Sequence, residues 1–367
     1  MPIREILKRL MLLPAPSGYE QAVVDVLLAE WQLLAAETRV DTVGNVLARF
    51  PGTDPAAPVI MVYAHMDQLG FIVRQIEPDG YLRFERLGGI PEKVLPSLSV
   101  QVLTSAGTVV DGVIGNKSHH VTPAAEKYQV DPIGDLFVDI GAASRAEVLA
   151  LGVNIGSPAV YRPSCQELAG GRICGTSIDN RGGLAALILL AQALWQRPAR
   201  STVWLVGTVW EEFNLRGAAL AARAIQPKIA IALDVVLTGD TPDLRGRFDV
   251  RVGGGPAVML YNFHGRGTLN GTIPQAGLVR LAEQAAKAQN LPLQRFAGVG
   301  LLTDSAYVQL EHTGVAAIEL GFPARYTHTP AEVCDPGDIT QLASLTEALI
   351  QSIDASFDTR RLVSKLS

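Results

Sequence analysis

DNRGGLAALILLAQALW (179–195) followed by STVWLVGTVW (201–210) decides the fold. The first segment is an apolar run of helical length opened by polar residues. A Pro-containing break separates it from ten residues rich in Val, Thr and Trp, which read as a strand. A strand this continuously apolar belongs in a sheet covered on both faces. Downstream the alternation continues. NLRGAALAARAI (214–225), TIPQAGLVRLAEQAAKAQN (272–290) and DITQLASLTEALIQSI (338–353) read as helices, and KIAIALDVV (228–236) and GVAAIELG (314–321) as strands. The pattern predicts an α/β fold: a mostly parallel open sheet with helices on both faces.

Upstream, SGYEQAVVDVLLAEWQLL (17–34) predicts a helix with Ser17 and Glu20 in a capping box. VGNVLARF (43–50) and APVIMVYAH (57–65) predict strands. After residue 68 the character changes. LGFIVRQI, GYLRFERL, SVQVLTSAGTVVDGVIG and DLFVDIG are short β-type segments between turn signals, with no helix before AASRAEVLALG (142–152). The reading is one catalytic α/β domain in two pieces, 1–67 and 164–367, with a small all-β domain inserted at 68–163.

Composition agrees with a folded enzyme-sized chain. Its 367 residues are 48% hydrophobic and 18% charged, with mean hydropathy +0.22. That is too little charge for disorder and exceeds the usual size of one core. The net charge of −5 includes no basic block, so neither nucleic acid nor an anionic membrane is an expected partner. Cys165, Cys174 and Cys334 form neither an even set nor a metal-finger spacing and fit a reducing compartment. Arg4, Lys8 and Arg9 interrupt the N-terminal segment, a poor secretion signal. GGLAALILLAQALW (182–195) is short for a membrane span of roughly 20 residues. The expectation is a cytoplasmic protein.

In open α/β sheets chemistry collects beyond the carboxyl ends of strands. APVIMVYAHMD ends in His65 and Asp67, VWLVGTVWEE in Glu211 and Glu212, and KIAIALD in Asp234. His328 follows GVAAIELG, and Asp179 precedes a long helix. Singly, each has a bland reading: a surface histidine, an N-cap aspartate, a glutamate pair for the helix dipole. Together, two histidines and five acids at equivalent element ends are the ligand chemistry of a two-metal hydrolytic site, imidazole and carboxylate without thiolate. Residues i and i+2 of an extended segment share a side, so Asp67 is expected to accept the second ring N–H of His65.

The chain also resembles a known family, the tetrahedral (TET) dinuclear metallo-aminopeptidases, which include glutamyl and deblocking aminopeptidases and members called cellulase or endoglucanase M. AHMDQLGF (64–71), GVIGNKSH (112–119), DLFVDIGAASRAEVLALGV (135–153), SIDNRGG (177–183), EEFNLRGA (211–218), LLTDSAY (301–307) and RYTHTPAEV (325–333) match it in order. The resemblance implies a metal-dependent aminopeptidase removing N-terminal residues from short peptides. His65 and Asp234 would hold one divalent ion, Glu212 and His328 a second, and Asp179 both. Zinc is the first expectation, with cobalt and manganese also suited to such ligands. Glu211 would be the general base and Asp67 the partner of His65. One ion would anchor the free α-amino group of the substrate. The resemblance further implies a cis Asp179–Asn180 peptide, a homo-oligomer in the form of a tetrahedral dodecamer, and an inserted domain that serves oligomerisation, with loop 116–130 reaching a neighbouring subunit.

Two other readings stay open on sequence: hydrolysis of a different small amide at the same site, and a metal-binding assembly without turnover. His119 and His120 read as loop histidines, and His264 and His312 as non-ligands. Departures from the family surround the glutamate pair: Trp210 for a polar residue, and Phe213 and Asn214 for a small residue and glycine. Gln68 stands where an acid is common and Gly254 where a lysine is common.

Overall fold

A computed structural model describes residues 1–265 and 269–361. The chain opens with α1 (Ile3–Met11) and α2 (Gln21–Trp31), then the hairpin β1 (Glu37–Val40) and β2 (Val46–Phe50), then β3 (Ile60–His65). Every residue of β3 is buried, as its unbroken apolar run requires. The capping box at Ser17 does not form, and the helix starts at Gln21. Ser17 Oγ instead donates to Asp67 Oδ2 at 2.6 Å, and Glu20 Oε1 accepts from Gly18 N at 2.8 Å. The charge-assisted bond to a buried carboxylate fixes the Ser17 side chain apart from a helix whose cap position is Glu20.

Six short strands then close a barrel: β4 (Gly70–Ile76), β5 (Leu82–Leu87), β6 (Ser99–Leu103), β7 (Val109–Ile114), β8 (Val138–Asp139) and β9 (Pro158–Tyr161), ordered β4-β5-β8-β7-β6-β9. Their alternating side chains enclose a separate core in which Phe71 meets Phe84 and Tyr161 edge to face. The helix α3 (Arg145–Ala150), capped by Ser144, leads into β9.

The chain re-enters the main sheet through β10 (Cys165–Glu167) and β11 (Ile173–Gly175), then α4 (Ile178–Gln196) and β12 (Val203–Thr208). There follow α5 (Gly217–Ile225), β13 (Ile229–Leu237), β14 (Ala257–His264), β15 (Asn270–Thr272), α6 (Ala276–Ala288), β16 (Gln294–Val299), α7 (Ser305–Val308), β17 (Ala316–Arg325), β18 (Glu332–Cys334) and α8 (Pro336–Gln351). β12, β3, β13 and β17 lie side by side, all parallel. Side chains of α1, α2, α4, α6 and α8 pack on one face, and those of α5 and α7 on the other. Gly182 lets α4 approach the sheet, since a Cβ there would meet the Phe322 ring at 2.2 Å. The sequence reading has no counterpart for β14, β15 and β16, which extend the sheet beyond β17. Among the described residues no helix is long and apolar enough to cross a membrane.

Candidate metal centre

Parallel strands present their carboxyl ends along one edge, and the expected residues meet there. His65 ends β3, Asp234 lies within β13, and Glu211 and Glu212 follow β12. Asp179 sits at the non-helical entry to α4, and its peptide bond to Asn180 is cis. His65 Nε2 is 3.1 Å from Asp179 Oδ1 and 3.9 Å from both Glu211 Oε2 and Asp234 Oδ1. His328 Nε2 is 3.7 Å from Asp179 Oδ2 and 3.9 Å from Glu212 Oε2. Two sets of potential ligand atoms result, each within 4.8 Å: His65, Asp179, Asp234, and Asp179, Glu212, His328. Asp179 is common to both and turns a different oxygen to each.

Both imidazoles are oriented by their other nitrogen. His328 Nδ1 donates to the Gly89 carbonyl at 2.8 Å, which frees Nε2 for the site. That carbonyl comes from the turn after β5, so the barrel contributes to the centre. His65 Nδ1 lies 3.0 Å from the Asp67 main-chain carbonyl and 3.6 Å from Asp67 Oδ1. The expected partnership with Asp67 therefore runs chiefly through its backbone. Its carboxylate is otherwise engaged: Oδ1 accepts from Glu211 N and Oδ2 from Glu212 N, both at 3.0 Å.

Glu332 does the same elsewhere and was missed by sequence reasoning. Buried on β18, it accepts from Asp179 N through Oε2 and from His328 N through Oε1, each at 3.0 Å. Its partners lie 153 and 4 residues away, and no local pattern marks a contact of that span. Asn180, not Asp179, caps α4, its Oδ1 accepting from Gly183 N at 2.9 Å. Arg181 is fully buried and donates to the carbonyls of Met66 and Leu13 and to Gln68 Oε1. Gln68 thus braces Arg181 instead of facing the ligands.

Burial pushes Glu211 and Asp234 well above the usual carboxylate range and Glu212 up to about 7. Burial would lower His65, yet Glu211 and Asp179 outweigh it and raise it well above the imidazole range. His328 likewise rises, against burial, to about 9 beside Glu212 and Asp179. Asp179 moves down, because its contact with His65 overcomes burial. These are the directions set by protein groups alone, and a divalent cation would oppose the upward shifts of Glu211, Glu212 and Asp234 and reinforce the downward one of Asp179. The donor set fits such a cation. It offers only imidazole nitrogen and carboxylate oxygen, and among the described residues lining the cavity none is Lys or Arg. Four desolvated acids gathered without Lys or Arg, balanced only by imidazoles, call for further positive charge.

The cavity holds about 520 Å³ and is walled by Phe213, Leu237, Leu301 and Leu302 beside the acids. His264 lines it too but belongs to neither ligand set. His312 Nε2 sits 3.2 Å from the Ala222 carbonyl, and the His119 and His120 rings meet edge to face in their loop. Backbone in the left-handed region brackets the ligands: Ser177, Trp210, Asn214, Leu215, Tyr326 and His328 have φ of 63, 59, 74, 60, 59 and 65°. Asn214 stands at such a position, and Asn is the non-glycine side chain that best tolerates it. Phe213 lies under the Arg216 guanidinium, 4.6 Å from its ring centre. At Gly254 the Gln294 side chain fills the space a Cβ would need, 2.7 Å away.

A cluster of histidine and carboxylate ligands, buried around His65 and open to solvent at His328, lies at the carboxyl edge of this sheet and defines a metallohydrolase. The model of the M42 glutamyl aminopeptidase family matches residues 44–345. The chain belongs to that family and is a metal-dependent aminopeptidase. It is 32% identical to the lysyl aminopeptidase of Pyrococcus furiosus, covering 95% of this chain and 97% of that protein. It is 27% identical to the glutamyl aminopeptidase of Lactococcus lactis, covering 96% and 97%. Among solved structures it is similar to the TET1 peptidase of Pyrococcus horikoshii, which can assemble into a tetrahedron or a large octahedral shell, with 29% identity, TM-score 0.84 and coverage of 95% and 99%.

Proposed function

We infer that the chain releases N-terminal residues from short peptides, with two divalent ions per subunit, zinc first among them. His65 and Asp234 would hold one ion, Glu212 and His328 the other, and Asp179 both. The observation that carries this reading is the pair of ligand sets sharing Asp179. Bound ions of this kind supply Lewis acidity toward a carbonyl oxygen and lower the pKa of a water between them. Glu211 is the general base. It takes the proton of the attacking water and returns it to the leaving amine as the peptide bond breaks. Asp67 fixes Glu211 and Glu212 by accepting their main-chain N–H groups, and its carbonyl orients His65. A cavity of about 520 Å³ suits the end of a peptide and not a folded chain.

In this reading residues 1–67 and 164–367 form the catalytic domain. Residues 68–163, which contain the barrel, serve assembly into a cytoplasmic homo-oligomer, a tetrahedral dodecamer. The likeness to a TET peptidase supports that arrangement.

The test is a panel of free and N-blocked peptides and aminoacyl-arylamides with added divalent metal. Residues should leave only from unblocked ends. Cleavage confined to blocked substrates would replace the reading with an amidohydrolase, and metal binding without any turnover would replace it with a scaffold. Mass measurement in solution tests the assembly, and a stable monomer would remove it.

A further inference from the structure

The two ligand sets are built differently. His65 and Asp234 stand on adjacent parallel strands, β3 and β13, and pairing of His65 with Thr208 of β12 and of Asp234 with Gly321 of β17 fixes their backbones. Asp179, Glu212 and His328 all lie off the strands, on the entry to α4 and on two loops. β11, which leads to Asp179, pairs with β18, which follows His328, but no ladder includes any of the three ligands themselves. What relates them is a pair of buried carboxylates, each holding two main-chain N–H groups with separate oxygens. Asp67 ties the Glu211–Glu212 turn to the end of β3, and Glu332 joins Asp179 to His328.

We propose that Glu332 is a positioning residue that assembles the loop-borne ligand set, so that affinity for the ion held by Asp179, Glu212 and His328, two of whose ligands it holds, depends on it more strongly than affinity at His65, Asp179 and Asp234, where it holds one. This rests on the metal-centre reading above. The geometry requires two acceptor oxygens on one side chain. Two amide donors face its two oxygens, and an amide side chain would offer one oxygen and one NH₂ to the same pair, setting donor against donor. Aspartate, one methylene shorter, keeps the charge but not the reach to both segments. Asp179 is the exposed point of the arrangement, because its residue serves both ions while its N–H is held from one side only. Partners that orient metal ligands typically influence affinity by about 10–100-fold.

The experiment titrates zinc into chelator-treated, metal-free protein by calorimetry, for the wild type, Glu332→Gln and Glu332→Asp. His328→Ala and His65→Ala identify which binding step belongs to which set. In Glu332→Gln the loop-borne step should weaken about 10–100-fold and the strand-borne step should change less than about threefold. Glu332→Asp should fall between the wild type and Glu332→Gln. The zinc concentration giving half-maximal activity should rise by the same factor. Equal weakening of both steps would overturn the proposal, as would unchanged binding in a variant whose metal-free unfolding temperature has dropped. Failure of both variants to fold would also overturn it, assigning Glu332 to stability alone. Absence of any zinc binding by the wild type would instead remove the metal-centre reading itself.

Discussion

The sheet and the barrel adjoin in one chain yet stand in different relation to the site. The sheet supplies the ligand-bearing edge, and its core is continuous beneath it. The barrel closes on its own core and reaches the centre through the Gly88–Gly89 turn. One region creates the chemistry, and the other adjusts it from the side.

The largest effect should come from the sheet edge. Glu211→Gln should lower kcat by about 10²–10⁴-fold while metal content, measured by elemental analysis, stays at the wild-type level. Residual activity close to wild type would assign the base elsewhere. Next come two core truncations that set the regions against each other. Phe322→Ala, beneath α4, and Phe71→Ala, in the barrel, should each cost about 3–5 kcal/mol in denaturant unfolding. Only Phe322→Ala should also weaken zinc binding. If Phe71→Ala weakens it equally, the two cores are not independent. Smaller again is Gly89→Ala. A Cβ there would lie 3.1 Å from His328 Nδ1, so the ring must shift by a few tenths of an ångström. Activity should drop about 10-fold with an unchanged unfolding midpoint, since small misplacements near the reacting centre are costly. No change would mean that the barrel does not touch the chemistry.

The smallest effect is a pH slope far from the centre. Asp338, at the start of α8, accepts from Gly253 N and Gly255 N, and burial pushes its pKa up to about 6. The folded chain then holds this proton more tightly than the unfolded one. Its contribution to stability is full below about pH 4 and is lost as pH rises through about 6. The difference in urea midpoint between wild type and Asp338→Asn should change over that interval and stay constant above it.

How much of this was legible in the sequence depends on how local the determining physics is. Strands β3, β12, β13 and β17 were legible because burial on both faces forces long apolar runs. The polar residues ending them stood out against those runs. The segment 257–264 was not, because β14 mixes Tyr261, Asn262 and His264 into a strand with partly exposed residues. Ser17 misled because a capping pattern is local, while its hydroxyl is taken by Asp67 from fifty residues away. Glu332 was silent for the same reason. Nothing in PAEV records that its carboxylate holds a backbone N–H on the far side of the chain.

The left-handed residues around the centre have a consequence for anyone improving this protein. Outside glycine such backbone costs about 1–3 kcal/mol per residue, and Trp210, Leu215 and Tyr326 have no local side-chain chemistry that eases it. A search for heat-resistant variants will be drawn to these positions, where glycine relieves the backbone. The same relief loosens the loops that carry Glu211, Glu212 and His328. Durability and turnover should therefore trade against each other along this rim, and variants chosen for both will have to take their gains from the opposite edge of the sheet.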